Sequence, residues 1–202
     1  MQLSLPQNSN HSRRKFLKFM AAQLPLSAAL LAGIPGLAGA NSRYGIEGHQ
    51  APGLDLDYWI DGHGKRTRFD MASLEGKWVF MKCFQNWCPG CHKYGFPALQ
   101  KVHKAFGDDD RVAIMAVQTT FEGFAINSKT SLRELQLRYQ LPILMGHDAG
   151  DPDGDHFPQT MKDYRTGGTP WIVVIDPSGK VVYNEYHINP EGFIDYLKGT
   201  LG

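Results

Sequence analysis

The stretch Trp78-Val79-Phe80-Met81-Lys82-Cys83-Phe84-Gln85-Asn86-Trp87-Cys88-Pro89-Gly90-Cys91-His92 decides how this 202-residue chain is read. Its first half is a nearly continuous apolar run, the pattern of a central strand covered on both faces. Its second half sets two cysteines three positions apart directly after that strand. This spacing closes a small redox-active disulfide. If a helix begins at the second residue of the loop, the Cys88 sulfur sits over the positive end of the helix dipole, where thiolate is favoured over thiol. Cys88 is then the attacking nucleophile, and Cys91 the buried partner that resolves it. The same spacing also serves zinc sites, so the pair alone leaves both chemistries open.

Working outward, the apolar positions Phe96, Leu99, Val102 and Phe106 recur at helical spacing, with Pro97 inside the run. Val112 to Val117 is a second buried strand, and a strand, helix and strand with a long crossover imply a parallel pair. Upstream, Leu54 to Ile60 alternates with period two. Asp61-Gly62 then turns toward Arg66 to Phe69, which predicts a β-hairpin. Downstream, Ser131-Leu132-Arg133-Glu134 has the form of a capping box opening a helix to Tyr139, and Pro142 to Met145 reads as a short strand. Trp171 to Asp176 and Lys180 to Asn184 flank Pro177-Ser178-Gly179 as a second hairpin. A last helix runs from Pro190, capped by Asn189, to Lys198, with Gly199 beyond its end.

The first forty residues stand apart. Ser12-Arg13-Arg14-Lys15-Phe16-Leu17-Lys18 is a full twin-arginine export pattern. A modestly apolar stretch from Phe19 to Leu37 follows, broken by Gln23, Pro25, Gly33, Pro35 and Gly36, and then Ala38-Gly39-Ala40, a small-residue cleavage site. A membrane-spanning anchor needs about 20 uninterrupted apolar residues, which those breaks deny. The expectation is a leader over residues 1–40, cleaved after Ala40, and a periplasmic domain over residues 41–202. Cleavage removes four of the 21 basic residues and none of the 20 acids, so the mature chain carries a net charge of −3. Nucleic acid is not an expected partner. The remaining length suits one domain. All three cysteines lie in it, and an odd three in a disulfide-permissive compartment argues for a redox pair plus a spare thiol.

Taken with Trp87 and with Gly168-Thr169-Pro170 about 80 residues downstream of the pair, these motifs resemble the thioredoxin fold. More narrowly they resemble the exported TlpA/ResA-like, or redoxin, branch, over most of residues 48–199. The resemblance implies an α/β domain whose central mixed sheet is flanked by helices, with an N-terminal β-hairpin extension and a mid-domain insertion. It implies a thiol–disulfide oxidoreductase with catalytic Cys88 and Cys91 and no cofactor. Substrate would be held by Trp87, Thr169 and a cis Pro170. Its partners would be client proteins with disulfides, apocytochrome c or copper-site assembly proteins among them, and a membrane electron-transfer protein that restores the dithiol.

The chain also departs from that branch. Where many relatives carry a buried acid or amide, it has Lys82. A buried lysine favours a thiolate but is itself pushed toward neutrality; the alternative is an amine that snorkels to the surface. Tyr94 replaces a glutamate of ResA-type relatives. Pro97 falls one place late in the helix, which implies an extra residue bulged into its first turn. His92 either supports a thiolate as a cation or is a solvated surface residue, and Cys83 is a small apolar filler or a third redox thiol. The stretch Asp148 to His156 gathers four acids and, with His147, two histidines, and within it Asp151, Asp153 and Asp155 alternate as in a calcium loop. The glycine comes two places early, however, and Lys162 stands where the closing glutamate belongs, so a solvated loop bordering the groove is the reading.

Two further functions share this fold. A thiol peroxidase would carry threonine and proline where this chain has Gln85 and Met81. A Cu(I) chaperone would bind metal through the two soft sulfurs, but the sequence places no third ligand, since His147 and His156 reach the pair only by way of a loop, and no metal site is expected. Pro89-Gly90 inverts the Gly-Pro of thioredoxins yet begins like the Pro-His of strong oxidants, so the loop itself does not set the direction of electron flow.

Overall fold

The computed structural model describes residues 43–153 and 156–202; the leader read over residues 1–40 lies outside them, as do Gly154 and Asp155 of the acidic stretch. The elements are β1 (Tyr58–Ile60), β2 (Arg66–Thr67), a short 3-10 helix (Met71–Leu74), β3 (Trp78–Phe84), a π-helical turn (Cys91–Gly95) and α1 (Phe96–Phe106). They continue with β4 (Val112–Thr120), α2 (Ser131–Tyr139), β5 (Leu144–Ala149), α3 (Gln159–Asp163), β6 (Trp171–Ile175), β7 (Val181–Glu185) and α4 (Pro190–Leu201).

The seven strands form one mixed sheet in the order β2-β1-β5-β4-β3-β6-β7. β3 and β4 are parallel, as are β4 and β5, while β1, β6 and β7 pair antiparallel to their neighbours. All seven residues of β3 are buried, as its unbroken apolar run requires of a strand covered on both faces. Alternation sends Val79, Met81 and Cys83 into a core with Leu54, Trp59, Met115, Val117, Tyr164 and Trp171. Phe80, Lys82 and Phe84 take the opposite face. There the Phe80 ring lies 5.2 Å from that of Phe193 on α4, and Phe84 lies 5.1 Å from Phe96 on α1. Truncating one such ring costs about 3–5 kcal/mol, so this aromatic layer fixes the helix that follows the cysteine pair.

Several expectations are met. The hairpin is present, though shorter than the alternating pattern from Leu54, and the extra residue in the first helix is the π-turn ahead of Pro97. Asn189 caps α4 by accepting from the Gly192 N–H at 3.2 Å.

Others are corrected. Ser131 does not cap α2: its hydroxyl is buried, donating to the Ser128 carbonyl at 2.7 Å and accepting from Gln118 at 2.9 Å, and the capping position falls on Thr130 without a side-chain bond. The short strand at Pro142 begins instead at Leu144 and runs to Ala149 because it pairs with both β4 and β1. Asp148 is therefore not part of a solvated loop. It is buried, and its carboxylate accepts the Gln159 and Thr160 N–H groups at 3.2 and 2.6 Å, holding the start of α3. Gly199 lies within α4, which continues to Leu201.

Candidate active site

The cysteine pair lies where β3 gives way to the helical segment starting at Pro89. Cys88 exposes 6 % of its surface and Cys91 none. The Cys91 N–H is shared between the Cys88 carbonyl at 3.1 Å and the Cys88 sulfur at 3.2 Å, so a donor near the helix N-terminus is turned on the outer sulfur. When protonated, the Cys88 thiol donates to the Thr169 carbonyl at 3.4 Å. The Thr169–Pro170 bond is cis, as the resemblance implied. Gly90 allows Pro170 to lie against the loop, since a Cβ there would stand 3.1 Å from the proline Cδ.

These contacts split the two thiols. The hydrogen bond from the Cys91 thiol, aided by the Thr169 side chain, by the Cys91 N–H and by the Lys82 charge, outweighs burial and lowers Cys88 to about 5. Burial, and the hydrogen bond that it gives to Cys88, push Cys91 far up. At neutral pH the outer sulfur is thus a thiolate and the inner one a thiol, the division of labour that nucleophile and resolving residue need.

Lys82 does not snorkel. It is completely buried between Ala116 of β4 and Ile172 of β6, and its Nζ has no hydrogen-bond partner. Strand alternation turns Cys83 to the sheet face away from the pair, where burial raises it to about 12, so it is core filler. His92 is not a solvated surface residue, because both ring nitrogens are hydrogen-bonded. Nε2 bonds the Asn86 carbonyl, which only accepts, so Nε2 donates; Nδ1 shares a hydrogen bond with the Tyr139 hydroxyl at 2.5 Å.

Trp87 is 42 % exposed at the rim of an open groove of about 710 Å³ beside Cys88. Tyr44, Phe121, Phe157, Met161 and Tyr186 share its lining, whereas none of the described residues between Asp148 and His156 does, so the groove is bordered by the residues that follow the acidic stretch and not by the stretch itself. Three contributors carry no sequence signal. Asn127 is buried, accepts the Asn86 N–H at 2.5 Å and donates to Gln85 at 3.3 Å and to the Glu122 carbonyl at 2.9 Å, tying the cysteine loop to the segment after β4. Tyr139 and Tyr186 are ordinary aromatics until folding brings them here. Among the described residues, no group of three or more His, Cys, Asp or Glu side chains is placed to hold a metal ion. His147 bonds Gln118 at 2.7 Å and His156 faces Asp151 at 3.8 Å.

Compared with known families, residues 48–184 match the AhpC/TSA family. The chain belongs to the AhpC/TSA family. This AhpC/TSA chain is 29% identical over 138 residues to the thiol-disulfide oxidoreductase ResA of Bacillus subtilis, a match covering 67% of the chain and 65% of ResA. It thus spans just under two thirds of that relative. Among solved structures, a thioredoxin-like superfamily protein is 32% identical with a TM-score of 0.65, over 75% of this chain and 95% of the other. A thiol-disulfide isomerase from Corynebacterium glutamicum is 28% identical with a TM-score of 0.61, over 75% and 96%. The AhpC/TSA chain has the thioredoxin-like fold, and its resemblance to ResA-like redoxins is borne out.

Proposed function

We propose that this protein is an exported thiol–disulfide oxidoreductase that reduces disulfides in client proteins. The observation that carries the reading is the split between a Cys88 lowered to about 5 at the groove and a raised, buried Cys91. The Cys88 thiolate attacks one sulfur of a client disulfide, the other client sulfur departs, and a mixed disulfide forms. Cys91 then attacks the Cys88 sulfur. The second client sulfur leaves, and two electrons have passed from the pair to the client. A membrane electron-transfer protein would restore the dithiol. Thr169 and cis Pro170 on one side and Trp87 on the other flank the reacting sulfur, which suits an extended client segment lying along the groove. The names of ResA and of the isomerase agree with this chemistry.

Export by the twin-arginine route, with cleavage after Ala40 and a periplasmic domain over residues 41–202, rests on the leader motif. Among the described residues no helix is long and apolar enough to cross a membrane. The peroxidase reading has the family description in its favour. Against it, the buried Gln85 and Met81 stand where that reaction's hydroxyl and proline would be.

The test is trapping in the exported fraction. Cys88→Ser abolishes turnover, and Cys91→Ser accumulates mixed disulfides with clients; a Cys91→Ser protein free of adducts overturns the reading. Direction is set by the potential of the pair. A value near −270 mV marks a reductase, and one near −120 mV an oxidant.

A further inference from the structure

Lys82 is a buried basic group that the reaction above leaves unused. Its side chain is fully buried and its Nζ has no hydrogen-bond partner. Such an amine is costly as a cation unless something faces it. What faces it is the redox pair. From the elements packed around it, the titratable groups acting on the amine are Cys91 and Cys88 of the loop and turn, Cys83 of its own strand and, from the segment after β7, His187; no carboxylate is among them.

The surroundings are shaped to the amine in particular. The π-turn closes over it at Gly95, where a Cβ would lie 2.6 Å from Nζ and 2.7 Å from Cε. Beneath, the Phe96 ring offers its face at 4.3 Å and the Phe84 ring at 5.3 Å, a setting that accepts a cation without requiring one. Burial lowers the affinity of the amine for a proton, while the Cys91 and Cys88 sulfurs raise it, so the balance depends on whether those sulfurs bear charge. Near neutral pH only Cys88 does so, and only in the dithiol protein.

We propose that Lys82 carries a redox-linked proton: its amine is protonated while Cys88 is a thiolate and gives the proton up when the Cys88–Cys91 disulfide closes. The inference rests on the redox role proposed above for the pair. In balance, the disulfide protein with a neutral amine takes up two electrons and two protons from a thiol reductant. One proton goes to the Cys91 sulfur and one to Lys82, and Cys88 remains a thiolate. In the reverse direction a client disulfide receives two electrons from the pair and two protons, one from the Cys91 thiol and one from Lys82, and leaves as two thiols. Without the lysine the same exchange yields only one proton, and the second must come from solvent.

The experiment is the equilibrium potential of the pair between pH 7 and 9, in wild type and in Lys82→Met. One pH unit moves a two-electron couple by about 30 mV per proton exchanged. The variant should follow about 30 mV per pH unit, and wild type a steeper line approaching about 59 mV. Wild type and variant both at about 30 mV throughout overturn the proposal while leaving the redox pair intact. A pair that does not titrate reversibly overturns the redox reading, and this proposal with it. Because Lys82→Met alters a buried site, a second measurement uses the wild-type chain. The Lys82 Cε resonance should titrate at higher pH in the dithiol than in the disulfide protein, and equal midpoints in the two states overturn the proposal.

Discussion

At the scale of single residues, the site works by giving chemically identical side chains opposite environments. Cys88 and Cys91 are three positions apart, yet hydrogen bonds lower one to about 5 and burial raises the other. In the reduced protein, alkylation by iodoacetamide below pH 8 should therefore modify Cys88 alone, with a rate that titrates near pH 5; a midpoint near 8.5, the ordinary cysteine value, contradicts the assignment. Cys83 tests the third cysteine. Its sulfur packs among Met81, Val117 and Trp171, so Cys83→Ser buries a hydroxyl in an apolar core and should cost about 1–3 kcal/mol in denaturant melts. Turnover at saturating client should stay unchanged, since the side chain lies on the sheet face away from the pair. Cysteine spacing made the pair legible in the sequence, and strand alternation settles the spare thiol. The state of Lys82 was not legible: whether a lysine in an apolar strand snorkels depends on what closes over it, and Gly95 and Phe96 do so only after the chain has folded.

At the scale of elements, the π-turn and the segment after β4 aim the nucleophile. The π-turn was readable because Pro97 stands one place late, and a proline resists any position where its missing N–H and ring would break the helical ladder. The capping box at Ser131 misled for a local reason: a buried Gln118 on the neighbouring strand competes for the same hydroxyl, and that competitor is 13 residues away in sequence. Asn127 is the element-scale link that no motif announces. Its amide joins Gln85 and Asn86, just before the cysteines, to the Glu122 and Gly123 carbonyls, and Gly123 packs against Trp87. Asn127→Ala leaves the half-buried Asn86 N–H and the buried Gln85 side chain without their partner, a loss of about 1–3 kcal/mol. The expected outcome is a stability loss of that size together with a shift in Trp87 emission and a lower kcat/KM, with the Cys88 titration midpoint retained, because Asn127 touches neither sulfur. A variant with wild-type kcat/KM removes the segment from the site.

At the scale of the whole molecule, the depressed Cys88 couples redox state to folding. An unfolded cysteine ionises near 8.5, and in the folded dithiol protein Cys88 ionises at about 5. Between those values the unfolded chain binds a proton that the folded one does not, so Cys88 makes stability rise with pH across that window. Its contribution is complete above about 8.5 and lost as pH falls through about 5. Cys91 and Cys83 act the other way, since their raised values favour the folded state below the unfolded pKa and lose that advantage as pH rises. They are present in both wild type and Cys88→Ser, so comparing these two proteins under a reducing agent isolates the outer sulfur. The Tm advantage of wild type should be smallest near pH 5 and grow steadily toward pH 8.5; an advantage independent of pH contradicts the thiolate. Because the disulfide form has no such thiolate, every increment that stabilises folded dithiol protein also makes its disulfide a stronger oxidant. The hydrogen bonds that make Cys88 reactive therefore pull the potential upward, away from the reductase direction. A reductase built on this site needs its disulfide form stabilised elsewhere, and the neutral amine that Lys82 leaves in the disulfide protein removes one unpaired charge from its core.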